Sequence, residues 1–171
     1  MTVNIVVEHP AELDDEALLR FCREIRMRRG GPGGQHRNKV ETAVVLLYEP
    51  TGITAEASER RSQAENRRVA LLRLRLNLAI ECRVVRDKVP SPRWQGRVKH
   101  GRLSISSDHR EYAMLVAEAF DYLATCKGDM RMTGEALQVT PTQLANLFRK
   151  DSAVWAAFQT DRIGRGLRPL K

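Results

Sequence analysis

The first half of the chain has the hydrophobic pattern of a small sheet preceded by a short helix. Polar and apolar residues alternate from Glu24 to Arg28, as they do in a half-buried strand. Residues 42–48 are rich in β-forming side chains and end at a turn signal over 49–52, after which Ile53–Ala57 fits the returning strand. Acidic residues 14–16 precede an apolar stretch over 17–22, which predicts a helix with acids at its positive end.

The stretch from Ser58 to about Cys82 has an ambiguous centre. Residues 72–78 alternate leucine with arginine or asparagine, and this period of two favours a strand. Leucine, arginine, alanine and glutamate are nevertheless good helix formers, and β-branched residues are scarce here. Length and propensity together predict a long helix that packs its leucines on the sheet.

The second half is predicted to be helical. Residues 90–93 break the pattern at the expected domain boundary, and a helix capped by Asp108 and His109 follows. Residues 134–147 predict a helix, a turn and a second helix with Thr140 as its N-cap, which has the form of a helix-turn-helix. A last helix over 152–160 precedes a basic tail.

These elements predict an α+β protein, with a small mixed β-sheet and a long packed helix followed by a helical, helix-turn-helix-like domain. We expect a catalytic domain over 1–88, a basic connector rich in proline and glycine over 89–108, and a helical C-terminal domain with a basic tail over 109–171.

The distribution of charge indicates an anionic partner. The net charge is +8, and two blocks, 20–39 and 83–102, each hold seven Lys or Arg against a single acid. Such segregation predicts a basic face, and it fits RNA or DNA better than a membrane. No apolar run is long enough to span a bilayer and no signal peptide is evident, so we expect a cytoplasmic protein with no membrane partner.

The cysteines and histidines predict no metal site. Cys22, Cys82 and Cys126 are odd in number and far apart, so neither a disulfide framework nor a zinc site is indicated. The histidines show no paired ligand spacing, and all except His36 are expected to be surface or capping residues. We expect no cofactor.

The segment Gly30-Gly31-Pro32-Gly33-Gly34-Gln35-His36 carries the most distinctive chemistry. Glycine lets the backbone approach a ligand closely, and the neighbouring arginines indicate that the ligand is a polyanion. The segment lacks the glycine spacing of a dinucleotide-binding fingerprint and the Lys-Ser/Thr pair of a P-loop. A glutamine cannot act as a general base, although it can orient a water and stabilise a developing oxyanion. On composition alone, a simple phosphate-binding loop is favoured over a hydrolytic tip.

Residues 29–44 closely resemble the GGQ region of class I peptide chain release factors. The similarity continues through Pro50-Thr51-Gly52-Ile53 and into residues 59–66, and it covers roughly residues 14–82. Three ordered motifs at consistent spacing carry the resemblance.

The resemblance implies an α+β domain whose loop enters the peptidyl transferase centre of the ribosome and helps a water to hydrolyse the peptidyl-tRNA ester. It implies catalytic roles for Gly33, Gly34 and Gln35, and it makes Gln35 a candidate for methylation by a glutamine methyltransferase. Residues expected to support the loop or to bind RNA are Arg28, Arg29, His36, Arg37, Asn38, Lys39, Arg61, Ser62, Gln63 and Asn66. For Arg61 and Asn66, a role as a helix cap or a solvated helix residue is equally consistent with the sequence. Arg37 departs from the family, where a small apolar residue is usual.

The chain differs from the release factors that read stop codons. The resemblance to those factors would require a Pro-x-Thr or Ser-Pro-Phe tripeptide that reads the codon. Here Ser91-Pro92 is followed by Arg93, and Pro141-Thr142-Gln143 matches neither tripeptide. The chain therefore looks more like short, codon-independent ribosome-rescue hydrolases, although its tail is sparse in basic residues and residues 109–160 lie outside their usual plan. The resemblance implies large-subunit rRNA and peptidyl-tRNA as partners of what we expect to be a monomer. The alternatives are a non-catalytic rRNA- or tRNA-binding protein and a DNA-binding regulator acting through residues 134–150.

Overall fold

The protein divides into two compact units in a computed structural model that describes residues 8–27 and 43–170. One unit comprises Pro10–Leu78, and the other comprises residues 79–170 together with the segment that ends at His9. The predicted division into a catalytic domain, a connector and a C-terminal domain stays a prediction.

The first unit contains a three-stranded antiparallel sheet. A 3-10 turn (Pro10–Glu12) and helix α1 (Asp15–Arg20) precede strands β1 (Cys22–Met27), β2 (Ala43–Tyr48) and β3 (Ile53–Ala57). The strand order is β1-β2-β3, and the two pairings are both antiparallel among the described strands. Asp14 caps α1 by accepting a hydrogen bond from the Ala17 amide at 2.7 Å, as the acidic segment predicts. The α+β class is confirmed.

The ambiguous stretch is a helix, α2 (Gln63–Glu81), which begins in this unit and continues into the second one. Leu71, Leu74 and Leu78 are buried with Val44 and Leu46 of the sheet in the core of the unit. Leu72, which the period of two would place on the same face as Leu74, is instead 47% exposed. Helical spacing therefore decides which leucines enter the core.

Arg75 of α2 holds the N-terminal segment in place although it is almost fully buried. Its guanidinium donates hydrogen bonds to the carbonyls of Ala11 and Leu13, and to the Asp15 carboxylate at 2.6 Å. A buried guanidinium needs such partners because its desolvation is otherwise uncompensated.

Two other side chains of α2 cover the outer edge of β3. The Asn77 amide donates to the Thr54 carbonyl at 2.9 Å, and the Arg73 guanidinium donates to the Glu56 carbonyl at 2.8 Å. Arg73 also pairs with Glu59 at 2.7 Å. Carbonyls that would be open along an edge strand are thus occupied from within the chain.

The second unit is mainly helical. Its elements are α3 (Pro92–Arg97), β4 (Val98–Lys99), β5 (Arg102–Leu103), α4 (Tyr112–Thr125), α5 (Met130–Leu137), α6 (Pro141–Phe148) and α7 (Ser152–Gly164). Phe120, Phe148 and Phe158 form a column in its core, with successive ring centroids 4.8 Å apart. Thr140 caps α6 by accepting from the Gln143 amide, and Pro141 is its first residue, so the predicted helix-turn-helix form is confirmed.

Two local expectations for this unit are wrong. Asp108 and His109 do not cap α4, because the helix begins only at Tyr112 and Glu111, the residue before it, makes no side-chain capping bond. The Glu111 carboxylate pairs instead with Arg97 at 2.6 Å. His9 is fully buried and its ring nitrogen lies 3.3 Å from the Cys82 carbonyl oxygen, whereas a surface or capping position was expected.

The segment predicted as a connector contains regular structure. Ser91 caps α3 by accepting from the Trp94 amide, and β4 pairs with β5 in a short hairpin. Trp94 is 1% exposed, and its indole N–H donates to the Leu137 carbonyl at 2.8 Å. The buried indole therefore ties this segment to α5 within the second unit.

Candidate functional site

The sheet brings together the two ends of the glycine-rich segment. Residues 28–42 fall between β1 and β2, and Met27 pairs directly with Ala43 in the antiparallel register. The fold thus sets the two attachment points of the segment side by side at one end of the sheet. The predicted catalytic residues Gly33, Gly34 and Gln35 lie outside the described residues. So do the predicted supporting residues Arg28, Arg29, His36, Arg37, Asn38 and Lys39.

Asn66 is the most constrained of the predicted residues that the structure describes. Its carbonyl oxygen accepts from the Arg60 amide at 2.8 Å, and its side-chain NH₂ donates to the Arg60 carbonyl at 2.9 Å. The side chain is fully buried. A buried carboxamide that bonds both the N–H and the C=O of another residue fixes the local backbone. Asn66 therefore holds the chain in one conformation just before α2.

Ser62, Arg61 and Gln63 lie at the start of the same helix. The Ser62 hydroxyl accepts from the Glu65 amide at 3.4 Å, and its carbonyl accepts from the Asn66 amide at 3.0 Å. Arg61 and Ser62 are exposed, while Gln63 is half-buried. Ser62 therefore supports the helix terminus, and the exposed Arg61 is available to an external anion.

An ion pair that sequence reasoning missed links the sheet to α2. The Glu24 carboxylate of β1 accepts from Arg67 of α2 at 2.8 Å and from Arg26 at 3.1 Å. Partial burial of the Glu24 carboxyl opposes ionisation, but the hydrogen bonds from Arg67 and Arg26 outweigh it and lower its pKa below the ordinary value. Glu24 and Arg67 are separated by 43 positions, so no local pattern could have indicated this pair.

Within residues 8–27 and 43–170, no group of His, Cys, Asp or Glu side chains has an arrangement that could hold a metal ion. In the same residues, no helix is both long enough and apolar enough to cross a bilayer.

Residues 20–118 match the RF-1 domain, so the match includes β1, the glycine-rich segment, the rest of the sheet and α2. The chain belongs to the RF-1 domain family. Since the match extends over more than half of the chain, the family resemblance indicated by the glycine-rich segment is confirmed.

Named relatives share this part of the chain. A mitochondrial peptide chain release factor 1 of Bos taurus is 40% identical over 74 residues, which cover 43% of this chain and 17% of the relative. A chloroplastic peptide chain release factor of Arabidopsis thaliana is 37% identical over 81 residues, covering 43% of this chain and 18% of the relative. An uncharacterised, mitochondrial release-factor-like protein of Saccharomyces cerevisiae is 45% identical over 71 residues, covering 41% of this chain and 43% of the relative. The matches thus span less than half the length of these RF-1 relatives.

Proposed function

We propose that this RF-1 family member hydrolyses the ester bond of peptidyl-tRNA on the ribosome. The observation that carries the proposal is the pairing of Met27 with Ala43, which brackets the Gly33-Gly34-Gln35 sequence between two adjacent strand ends. The family match and the relatives, which include peptide chain release factors, support the same activity. Large-subunit rRNA and peptidyl-tRNA are the proposed partners, and the protein is proposed to act as a monomer.

The proposed reaction transfers the peptide from tRNA to water. The oxygen of water attacks the ester carbonyl, the carbon–oxygen bond to the tRNA breaks, and the products are a free peptide carboxyl and a tRNA hydroxyl. Gln35 would orient the water and stabilise the developing oxyanion by hydrogen bonding, since its amide cannot remove a proton. The remaining groups must come from the ribosome, so we expect no hydrolysis by the isolated protein. The Gln35 amide is also the proposed methylation site.

We further propose that release requires no stop codon. Ser91 and Pro92 begin helix α3, and both the amide and the hydroxyl of Ser91 donate to the Glu118 carboxylate, at 2.7 and 2.6 Å. Pro141 and Thr142 similarly form the first turn of α6. The two places that come nearest to a codon-reading tripeptide are therefore used as helix starts, which supports a role in rescue of stalled ribosomes.

The test uses ribosomes that hold labelled peptidyl-tRNA on an mRNA truncated at the A site. We expect the protein to release the peptide, and Gln35→Ala to lower the rate by about a hundredfold or more. Gln143→Ala, a glutamine change on α6, should release at the wild-type rate. Equal rates for Gln35→Ala and wild type would contradict the assignment, and ribosome binding without release would indicate a non-catalytic binder. The assay is then repeated with a stop codon in the A site. If release requires no stop codon, the stop codon should not raise the rate of peptide release.

A further inference from the structure

Glu24 is the point at which strand β1 is tied to helix α2 by charge. Its partner on β2 is Leu46, which is fully buried with the leucines of α2, so the Glu24 side chain lies on the helix-facing side of the sheet. One carboxylate oxygen accepts from Arg67 of α2, and the other accepts from Arg26 of β1. The carboxylate therefore bridges the helix to the penultimate residue of the strand.

Both ends of this bridge are attached to well-defined parts of the fold. Arg67 directly follows Asn66, whose buried carboxamide fixes the backbone through its two bonds to Arg60. On the sheet side, Arg26 precedes Met27, the last residue of β1 before the glycine-rich segment. The bridge thus links a fixed helix start to the point where the glycine-rich segment leaves the sheet.

The charge of Glu24 is unusual for its position in the chain. Glu24 is the single acid among residues 20–39, which hold seven Lys or Arg. Without its carboxylate, the guanidinium groups of Arg26 and Arg67 would be left facing each other, and like charges repel. Arg67 is 46% exposed and Glu24 is 23% exposed, so the pair adds little to overall stability. Its effect is therefore local, on the direction of the strand end.

We propose that Glu24 and Arg67 are positioning residues for peptide release, because their ion pair fixes the direction in which β1 delivers the chain towards Gln35. This role rests on the proposed hydrolysis of peptidyl-tRNA. Gln35 closely follows Met27 in the sequence, so the direction of the strand end sets where the path to the glutamine begins. Hydrolysis depends on orienting one water, and a misplacement of about 1 Å is enough to lower such a rate by up to about a hundredfold.

The test measures single-turnover peptide release from ribosomes that hold labelled peptidyl-tRNA on a truncated mRNA, over a range of protein concentrations. The test variant is Glu24→Gln. The control variant is Glu59→Gln, which makes the same change in charge and breaks an exposed ion pair to Arg73 of the same helix, at 2.7 Å. We expect Glu24→Gln to lower the saturating rate by about tenfold and to leave the half-saturating concentration within about twofold of wild type. Glu59→Gln should release at the wild-type rate.

Charge reversal separates the pair from its individual side chains. Glu24→Arg and Arg67→Glu should each lower the saturating rate at least as much as Glu24→Gln, because each change sets like charges opposite each other. The double variant restores opposite charges and leaves the net charge of the protein unchanged. It should recover to within about threefold of the wild-type rate. A double variant as slow as the single ones would show that the two side chains act separately, which contradicts the proposal.

Hydrogen exchange of the free protein gives a readout that needs no ribosome. The Met27 amide should exchange faster in Glu24→Gln than in wild type or Glu59→Gln, while the amides of α4 keep their protection. Equal release by Glu24→Gln and wild type, with Gln35→Ala slow, would overturn the positioning role alone. A rate that falls only in step with the Tm would also overturn it. If wild type releases no peptide, or Gln35→Ala releases as fast as wild type, the proposed function fails and the positioning role fails with it.

Discussion

The side chain of Asn66 closes a ring with the backbone of Arg60, accepting one hydrogen bond from its amide at 2.8 Å and donating another to its carbonyl at 2.9 Å. This ring shapes the chain between the end of β3 and the first turn of α2. Asn66 lies within the stretch whose sequence resembles release factors, and it was expected to bind RNA or to support the loop. In the structure its side chain has a local structural role.

Replacing the buried Asn66 with Ala should destabilise the protein by about 2 kcal/mol, because it removes two part-buried hydrogen bonds to the backbone of Arg60. Asn77→Ala is the matched control on the same helix. Its amide makes an exposed bond to Thr54, so the loss should stay below about 1 kcal/mol. Urea unfolding measures both free energies. Similar losses for the two variants would contradict the assigned role of the Asn66 ring.

Burial lowers the pKa of His9 to about 4, and the positive charges of Arg86 and Arg83 contribute while the bond to the Cys82 carbonyl opposes the shift. The unfolded chain binds a proton near pH 6.5, whereas the folded chain resists protonation until about pH 4. The contribution of neutral His9 is therefore complete above pH 6.5 and is lost as the pH falls towards 4. It amounts to on the order of 2 kcal/mol.

The measurement compares urea unfolding of wild type and His9→Gln from pH 7 to pH 4. The free-energy difference between them should shift in favour of the variant as the pH falls. His100→Asn is the control, because His100 is exposed and its φ of 50° suits asparagine. A pH-independent difference for His9→Gln would show that His9 is not held neutral.

Asp121 should have the opposite pH dependence. Burial raises its pKa to about 6, although the hydrogen bonds from Val84 and Arg86 and the charges of Arg86 and Arg83 act against the shift. The folded state retains the proton between pH 4 and 6, whereas the unfolded state has released it, so the stabilisation associated with the protonated carboxyl declines as the pH rises through this range. Relative to Asp121→Asn, wild type should lose on the order of 2 kcal/mol between pH 4 and 7. A flat difference across this range would be inconsistent with a raised pKa.

Gly134 and Gly96 form a matched pair of helical glycines. A Cβ on Gly134 would lie 2.5 Å from the Val139 carbonyl oxygen, whereas a Cβ on Gly96 would meet no atom within 4 Å. We expect Gly134→Ala to destabilise the protein by about 2 kcal/mol through this backbone clash. Gly96→Ala should be neutral or stabilising by up to about 1 kcal/mol. Thermal denaturation distinguishes them, and a Gly134→Ala variant as stable as wild type would disprove the close turn between α5 and α6.

Sequence patterns predicted the structure correctly where the contacts that decide it lie close together in the chain. The Asp14 cap, the strands on either side of the glycine-rich segment and the proline at the start of α6 follow from short-range rules. Helix α3 was missed because its decisive contact joins Trp94 to Leu137, 43 positions away. The Arg67–Glu24 pair and the burial of Asp121 likewise depend on residues that only the fold brings together. The candidate site was found through the unusual composition of one segment, whereas the bonds of Asn66 to Arg60 depend on an i−6 contact that no standard motif specifies.

The contacts that cover the edge of β3 have a further consequence for how the protein would aggregate. Arg73 and Asn77 shield the strand edge only while α2 is helical, since their spacing places them over Glu56 and Thr54. Partial melting of α2 would uncover these carbonyls and expose a strand able to pair with other chains. Loss of the helix and the onset of aggregation should therefore coincide, and conditions that keep α2 intact should also keep the protein in solution.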